Sequence, residues 1–421
     1  MNVLILGGSA REHALAWKIK QSPLAKEIFV APGNAGTATV GKNLAINPSD
    51  HPALITACRE NGIELVIVSS DSYLAEGAVD ALTDVGILAF GPTKAAAEIE
   101  WSKAFAKQLM KEEGIPTARS EQFENFDAAT AYVKTQSLPI VIKASGLAAG
   151  KGVVIAQTQE EAIEALKDMM INHAFGTSGE CVVIEEFLEG KEISIHALCV
   201  DENAILFPIA QDHKRAFDDD RGPNTGGMGT IAPVPGVSDA QMHEIKDRVV
   251  LAVLRGLKKR GRPFRGLLYP SVMLTVSGPK VIEYNTRFGD PETESYMRLL
   301  ESDLLPVLAL VAKGSLKDVQ LKWSTGAACC IVVASGGYPA RYEIGFPILG
   351  IESAEVDDVV IFHFGTSLKE GAVVTNGGRI LGITAIGSDL QHALAGAYAA
   401  VKKISFPKAY YRADIGTRAF T

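Results

Sequence analysis

Short apolar runs alternate with helical patterns along the first hundred residues of the chain. The apolar runs cover residues 2–6, 28–31, 65–69 and 87–90, and a helical pattern covers residues 12–20. Strands that are joined through helices pair in parallel, so this alternation predicts a parallel α/β sheet. Ligands of such sheets bind in the crevice at the carboxyl ends of the strands. We therefore expect the N-terminal domain to contribute part of a binding site.

The whole chain of 421 residues is too long for one ordinary domain, and its patterns predict a multidomain protein with α/β and α+β parts. We expect an N-terminal α/β domain over residues 1–101 and a small α+β unit over residues 121–188. The predicted central domain combines residues 102–120 with residues 189–323, and a mostly β C-terminal domain covers residues 324–421.

Composition and charge exclude several classes of protein. With 47% hydrophobic and 21% charged residues, the chain has the composition of a folded globular protein. The net charge of −8 offers no broad basic surface, so no nucleic-acid partner is expected. The five cysteines are odd in number and lack CxxC spacing, which is typical of reduced thiols. Because neither a signal peptide nor a membrane-spanning run is apparent, we expect a cytoplasmic protein without a membrane partner.

A first glycine loop, Gly7-Gly8-Ser9, joins the first predicted strand to a helix. Three interpretations are open: a dinucleotide-binding loop, a structural turn, or a binding loop for a small phosphorylated ligand. Ser9 and Glu12 occupy the second and third glycine positions of the dinucleotide fingerprint, and no acid for a ribose follows the second strand. These differences favour the small phosphorylated ligand.

A second glycine-rich loop, residues 144–152, lies between two predicted strands and includes Lys151, with Lys143 just before it. Small residues allow backbone N–H groups to approach phosphate oxygens, and the two lysines add positive charge. A strand follows the loop where a Walker loop has a helix. The pattern therefore predicts phosphate binding of another kind, and the alternative is a flexible hairpin with solvated lysines.

Strand alternation places Glu283 and Asn285 on one face of a predicted strand at residues 280–285. Two oxygen ligands suit Mg²⁺, which shares its coordination sphere with water and phosphate. The alternative interpretation is a polar edge strand without a metal. Arg287 follows directly, and its guanidinium has the geometry to bind a substrate carboxylate.

Two further polar segments are candidates for ligand contacts. The strand at residues 182–186 ends in Glu185 and Glu186, where backbone groups could bind an adenine edge, and Glu192 could accept hydrogen bonds from ribose hydroxyls. Solvated acidic turns are the alternative. Residues 211–229 are long, charged and without a regular pattern, so we expect an irregular loop that contacts substrate or phosphate, with disorder as the alternative.

Taken in this order, these segments resemble the ATP-grasp ligases and, among them, the phosphoribosylamine–glycine ligase family (glycinamide ribonucleotide synthetases). The resemblance extends over essentially the whole chain. The segments that carry it are Gly8 with residues 11–14, then residues 31–37, 102–103, 146–152, 184–188, 212–214, 222–229 and 287–293.

The resemblance implies a pre-ATP-grasp N-terminal domain, and ATP bound between a lid, the small unit, and the central domain. The residues it implies for ATP are Lys103, Lys143, Gly150, Lys151, Glu185, Glu186, Phe187, Leu188 and Glu192. Glu283 and Asn285 would hold Mg²⁺ or Mn²⁺. The residues implied for glycine and phosphoribosylamine are Gly8, Arg11, Gly33, Asn34, Gly36, Thr37, Asp71, Lys214, Asn224, Thr225, Gly226, Arg287 and Asp290. The residues implied for catalysis are Lys143, Asp212 and Arg287.

The implied reaction belongs to de novo purine synthesis and joins glycine to phosphoribosylamine through glycyl phosphate, releasing ADP and phosphate. Four places differ from the family pattern: residues 69–74, Ser145 in place of an aspartate, residues 270–271 in place of Ala-Gly, and Thr286 in place of a cysteine. Three alternatives stay open at this point. They are another ATP-grasp ligase or carboxylase, an NAD-dependent oxidoreductase, and a nucleotide-binding protein without catalysis. We expect a monomer or a weak homodimer.

Overall fold

A computed structural model describes residues 1–147 and 152–419 of the chain. Its N-terminal strands are β1 (Val3–Gly7), β2 (Ile28–Pro32), β3 (Lys42–Asn43), β4 (Leu65–Val68) and β5 (Ala89–Phe90). They form one parallel sheet in the order β3-β2-β1-β4-β5. All five residues of β1 are buried, as is typical of a parallel strand covered on both faces.

Helices connect these strands and cover the sheet. They are α1 (Ala10–Ile19), α2 (Thr37–Val40), α3 (His51–Glu60), α4 (Asp71–Glu76), α5 (Ala78–Asp84) and α6 (Lys94–Trp101). Polar residues begin several of them: Asp50 accepts a hydrogen bond from Ala53 N at the start of α3, and Thr93 accepts one from Ala96 N at the start of α6. Because β1 and β2 are parallel, the loops that follow them emerge at the same carboxyl edge of the sheet.

The small unit has an antiparallel sheet of β6 (Ser120–Phe123), β7 (Ile140–Ala144), β8 (Val153–Ala156) and β9 (Val182–Glu186). The strand order is β6-β9-β7-β8. Its helices, in chain order after α7 (Lys103–Glu112), are α8 (Phe126–Val133) and α9 (Gln159–Met170). Apolar residues of the sheet and of α8 and α9 form a buried cluster of their own. The small unit therefore has a hydrophobic core of its own.

The next strands are β10 (Lys191–Ser194), β11 (Ala197–Val200), β12 (Asn203–Leu206), β13 (Gln211–Asp212), β14 (Arg215–Phe217), β15 (Arg221–Asn224), β16 (Gly229–Ala232), β17 (Arg265–Thr275) and β18 (Gly278–Asn285). The helices of this region are α10 (Asp239–Ile245), α11 (Ala252–Lys259), α12 (Glu292–Leu299) and α13 (Leu304–Ala312), with a π-helical segment, Lys246–Leu251, between the first two. Strand β17 pairs with β10, β11 and β18 in an antiparallel sheet.

The C-terminal part contains β19 (Ala327–Ala334), α14 (Ile351–Ala354), β20 (Val359–His363), β21 (Thr366–Lys369), β22 (Ala372–Thr375), β23 (Arg379–Gly387) and α15 (Leu390–Val401). One sheet, in the order β13-β16-β19-β23-β20, joins these strands to β13 and β16 of the preceding region. A single buried cluster also contains residues from all three regions, among them Ile5, Tyr296 and Val332. The N-terminal, central and C-terminal parts therefore pack against one another.

These observations confirm the predicted fold class of a multidomain α/β and α+β protein with a parallel N-terminal sheet. The exact domain boundaries stay a prediction. The expectation of an irregular loop at residues 211–229 was wrong, because β14 and β15 pair antiparallel in a short ribbon and β13 and β16 flank it. The residues of this ribbon are mostly half-buried or exposed, so the sequence lacks the apolar alternation that marks a strand.

The five cysteines all fall within the described residues and are free thiols. Among these described residues, no helix is both long enough and apolar enough to cross a membrane.

Candidate active site

The first glycine loop is organised by the buried carboxylate of Glu12. Ser9 donates its backbone N–H to Glu12 Oε2 at 2.7 Å, and Ser69 donates its hydroxyl to Oε1 at 2.8 Å. Arg11 donates to Glu12 Oε1 at 2.7 Å and to Phe288 O at 3.1 Å. Glu12 therefore occupies a backbone N–H that a dinucleotide phosphate would need, which argues against that interpretation of the loop.

The second N-terminal loop, residues 33–37, is held by the side chain of Asn34. Its amide donates to Gly8 O at 3.1 Å and to His363 O at 2.6 Å, and its carbonyl accepts from Thr37 N at 2.9 Å. A Cβ at Gly36 would overlap a histidine ring, so a glycine is required there. Asn34 and Thr37, both predicted to bind substrate, thus also fix the loop against the first glycine loop and β20.

Two lysines meet at one buried carboxylate beside the second glycine-rich loop. Lys143 Nζ, at the end of β7, lies 2.9 Å from Glu185 Oε2, and Lys107 Nζ, on α7, lies 3.1 Å from Oε1. Burial lowers the pKa of Lys107 to about 8, against the opposing charge of Glu185. Lys103, one turn earlier on α7, donates to Gly146 O at 3.2 Å. The carboxylate of Glu185, predicted to lie at the adenine, is therefore engaged by lysines on both oxygens.

Glu283 and Asn285 lie two residues apart on β18 and therefore face the same side of the strand. Burial raises the pKa of Glu283, but neighbouring positive charges outweigh burial and lower it below its ordinary value. The cations responsible are Lys214, Lys143, Lys103 and Arg287. No group of three or more His, Cys, Asp and Glu side chains arranged for a metal occurs in the part of the chain that the structure describes. The oxygen pair alone suits Mg²⁺, which completes its coordination sphere with water and phosphate.

Arg287 is held in place by several acceptors. Its Nε lies 3.1 Å from Glu100 Oε1, and its NH2 donates to Asn285 Oδ1 at 3.0 Å. The other oxygen of Glu100 accepts from the backbone N–H and the hydroxyl of Thr286, each at 2.7 Å. Burial lowers the pKa of Arg287, but the charges of Glu100 and Asp71 raise it above its ordinary value. The guanidinium is therefore permanently charged and points beside the oxygen pair, as a carboxylate-binding group would.

Asp212 and Lys214 form an ion pair, with 2.9 Å between Lys214 Nζ and Asp212 Oδ2, in which the Asp212 side chain is buried and that of Lys214 is half-buried. Burial raises the pKa of Asp212 to about 7, against the opposing charge of Lys214. Burial lowers the pKa of Lys214, but Asp212 and other acidic neighbours raise it well above its ordinary value. Asp212 Oδ1 is buried and has no hydrogen-bond partner among the described residues. That oxygen is therefore available to a ligand.

Asp290 joins three parts of the chain. Its Oδ2 accepts from the Ser9 hydroxyl at 2.6 Å and lies 3.3 Å from Arg379 NH2. Arg379, at the start of β23, also donates to Gly226 O at 2.8 Å and to Asp290 O at 2.7 Å. Arg379 thereby links the first glycine loop, the loop before β16 and the segment after β18.

The remaining predicted ATP residues lie near the small unit. Glu192 Oε1 accepts from the Ser271 hydroxyl at 2.7 Å. Glu186 forms ion pairs with Arg119 at 2.8 Å and Lys280 at 3.3 Å, so it does not join the lysines around Glu185. Phe187 is exposed and Leu188 is half-buried. Gly150 and Lys151 lie outside the described residues.

The remaining predicted substrate residues lie close to those already placed. Thr225 donates its hydroxyl to Lys214 O at 2.9 Å, and Asn224 ends β15. Gly226 donates its N–H to the Tyr338 hydroxyl at 3.0 Å. Gly33 adopts a φ of +73°, which favours glycine. The predicted substrate residues therefore cluster on the N-terminal loops, on the segment around β14 and β15, and after β18.

An open cleft of about 740 Å³ adjoins the lysine side of this site. Its lining includes Trp101 and Ser102 from the α6 side and Ser145, Gly146 and Ser178 from the small unit. The cleft does not include Glu283 or Asn285, so it marks the approach to the site between the small unit and α6 and not the oxygen pair itself.

Sequence reasoning missed several residues that complete the site, namely Glu12, Glu100, Lys107 and Arg379. Lys107 could have been found, because it lies four residues after Lys103 on the same helical face. Glu100 and Arg379 carried no local signal, since their partners are 186 and 153 residues away in sequence.

The chain is similar to known proteins along nearly its whole length. Models of the phosphoribosylglycinamide synthetase family match three consecutive segments: the N domain at residues 1–100, the ATP-grasp (A) domain at 101–293 and the C domain at 328–418. A phosphoribosylamine–glycine ligase from Halalkalibacterium halodurans is 47% identical over 100% of this chain and 97% of its own length.

Two solved structures show the same architecture. The crystal structure of phosphoribosylamine–glycine ligase from Thermotoga maritima has a TM-score of 0.88 at 35% identity, and it covers 99% of this chain and 100% of that chain. The biotin carboxylase domain of 2-oxoglutarate carboxylase from Hydrogenobacter thermophilus has a TM-score of 0.75 at 18% identity, covering 97% of this chain and 91% of that chain, which shows the shared fold alone. The chain belongs to the phosphoribosylamine–glycine ligase family.

Proposed function

We propose that this protein joins glycine to phosphoribosylamine with ATP, and forms glycinamide ribonucleotide, ADP and phosphate as a step of purine synthesis. The observation that carries the proposal is the set of four cations around one half-buried acid, Glu283. Three of these cations also pair with other acids, namely Glu185, Asp212 and Glu100. The site therefore gathers several cations in one place, which suits a polyanion such as a triphosphate together with a carboxylate. The family membership of the chain supports this choice of substrates.

The chemistry follows from the low reactivity of a carboxylate toward amines. A carboxylate oxygen of glycine attacks the γ-phosphorus of ATP, the bond from that phosphorus to the bridging oxygen of ADP breaks, and glycyl phosphate forms. The amine of phosphoribosylamine then attacks the acyl carbon, and phosphate leaves with the oxygen that came from glycine. Both steps depend on positioning and on electrostatic stabilisation, so a nucleophilic side chain is not needed.

The residues of the site can be assigned to these steps. Lys103 and Lys143 would bind the phosphates, and Arg287 would orient the glycine carboxylate. Asp212, with its pKa raised by burial to about 7, is suited to accept the proton that the attacking amine loses. Because the carboxylate of Asp212 accepts the proton, no water molecule is needed as a base beside the acyl phosphate.

A divalent cation, Mg²⁺ or Mn²⁺, is part of the proposal. Glu283 and Asn285 would hold it, because both offer hard oxygen atoms from one face of β18. When bound, the ion would neutralise charge on the phosphoryl oxygens of ATP. Asn285 Oδ1 already accepts from Arg287, so the same side chain would connect the ion with the carboxylate-binding group.

Small molecules are the proposed partners, and we propose a cytoplasmic monomer or weak homodimer. The five free thiols are consistent with a reducing compartment.

Phosphate release from ATP tests the proposed function. Release should require glycine and freshly generated phosphoribosylamine together, and it should stop when either is omitted. Arg287→Ala should abolish it, whereas Arg260→Ala is a matched control, because that arginine pairs with Glu112 and Glu113 on α7 and in the turn that follows it. Release that depends on bicarbonate would favour a carboxylase, and nicotinamide reduction without phosphate release would favour an oxidoreductase.

A further inference from the structure

The antiparallel pair of β14 and β15, with the residues that lead into it and its turn (residues 213–224, the ribbon), has an unusual turn at its far end. Lys214 precedes β14 and Asn224 ends β15, so two predicted substrate residues lie at its base. At the turn, Asp219 and Asp220 adopt φ angles of 60° and 52°. Two successive non-glycine residues in the left-handed region persist only where surrounding contacts fix them.

The C-terminal tail, residues 412–416, supplies contacts to this turn. Asp218 Oδ1 accepts from Ala413 N at 2.8 Å, and Asp219 donates its N–H to Asp414 Oδ2 at 2.9 Å. The tail and the turn therefore exchange hydrogen bonds in both directions across almost two hundred residues of sequence.

Arg412 is the centre of these contacts, and its side chain is only 1% exposed. One terminal nitrogen donates to Asp220 Oδ1 at 2.9 Å and to Arg215 O at 3.1 Å. The other donates to Asp414 Oδ2 at 2.7 Å, and Nε donates to Asp414 Oδ1 at 2.7 Å. One buried guanidinium thus ties the turn, the first strand of the ribbon and the tail together.

The tail also reaches the base of the ribbon. Gly416 donates its N–H to His213 Nε2 at 3.1 Å, and His213 Nδ1 lies 3.0 Å from Gly229 O. His213 is the residue between Asp212 and Lys214. The tail therefore fixes the ribbon at both ends, and Lys214 at its base forms the ion pair with Asp212.

We propose that Arg412 is a positioning residue that keeps the ribbon in the conformation that presents Lys214 and Asn224 to the substrates. The tail is a latch that acts through the ribbon and does not itself touch the reacting atoms. The identity of the substrates rests on the proposed function, whereas the latch rests on the contacts alone.

Steady-state kinetics with Arg412→Ala test the proposal. The KM values for glycine and phosphoribosylamine should rise by on the order of tenfold to a hundredfold, since displaced binding groups lose that much. The KM for ATP should stay within about twofold, because the lysines that would bind ATP belong to β7 and α7. Arg412→Lys should recover part of the loss, and Arg260→Ala should change none of the three constants. An equal rise of all three KM values, or no rise, would overturn the proposal.

Hydrogen exchange of the backbone amides supplies a readout that does not depend on activity. Amides of residues 215–224 should exchange faster in Arg412→Ala than in the unaltered protein, while those of β1 and β7 should not change. If Arg412→Ala does not fold, Asp218→Ala takes its place, because it removes one tail contact from a half-buried position. Unchanged exchange in the ribbon would overturn the latch. Failure of the ligase assay with the unaltered protein would refute the proposed function alone, because the exchange experiment does not depend on that assay.

Discussion

Lys107→Met removes one of the two cations that hold the carboxylate of Glu185. The side chains of Lys107 and Glu185 are 5% and 4% exposed, so water does not replace the lost partner. Removing one member of a buried ion pair costs about 3–5 kcal/mol of unfolding free energy. Lys143 remains 2.9 Å from the other oxygen, so we expect a loss near the lower limit, about 3 kcal/mol.

The same change should weaken ATP binding. Without Lys107, the negative charge of Glu185 acts on Lys143 alone and competes with the ATP phosphates for it. A charge-assisted contact is worth roughly 1.5–3 kcal/mol, which corresponds to about a 10- to 150-fold weaker affinity for ATP. Urea unfolding measures the first effect, and calorimetric titration of the folded variant with ATP measures the second.

Two further variants make the test specific. Lys111→Met removes an exposed lysine from the same helix and should leave both quantities unchanged. Combining Lys107→Met with Glu185→Gln removes the carboxylate that competes with ATP for Lys143, so the double variant should recover part of the ATP affinity. The reasoning is refuted if Lys107→Met behaves like Lys111→Met, or if the double variant binds ATP no better than the single one.

Three other predictions follow from the site. Lys143→Met should abolish turnover with an intact fold, and near-normal ligation by the folded variant would remove Lys143 from the site. Glu283→Gln should lower activity, with partial recovery at high Mg²⁺, and an unchanged metal dependence would make β18 purely structural. Burial lowers the pKa of His196 to about 3. As the pH falls below the ordinary pKa of histidine, the unfolded state therefore binds a proton at this residue and the folded state does not. Unfolding free energy should therefore drop by about 2 kcal/mol for this residue between about pH 7 and pH 5, and a His196→Gln variant that keeps the full pH slope in urea unfolding would contradict this.

Local patterns in the sequence were enough to predict the parallel sheet, three strands of the small unit and the strand at residues 280–285. Each of these elements is specified by apolar residues that repeat with the period of its own structure. The position of Glu283 and Asn285 on one face of β18 was predictable from the strand pattern, because side chains alternate along a strand. Their convergence with Lys214 required the structure.

The parts that could not be predicted depend on contacts between distant residues. The ribbon was missed because its strands are short and carry mainly polar side chains, so that hydrogen bonds to the tail specify it and apolar alternation does not. The ion pairs of Glu185 with Lys107 and Lys143 could not be predicted either, since the two lysines come from different elements, α7 and β7. Arg379 and Arg412 likewise reach Gly226 and Arg215 from more than 150 residues away in sequence.

The transfer of oxygen from glycine to phosphate tests the central claim most directly. Glycine labelled with heavy oxygen in its carboxylate is supplied with ATP and phosphoribosylamine, and the released phosphate is analysed by mass spectrometry. The proposed reaction passes one labelled oxygen atom into each phosphate, because the carboxylate attacks the γ-phosphorus and the acyl–oxygen bond then breaks. Unlabelled phosphate from a reaction that still forms glycinamide ribonucleotide would contradict the account.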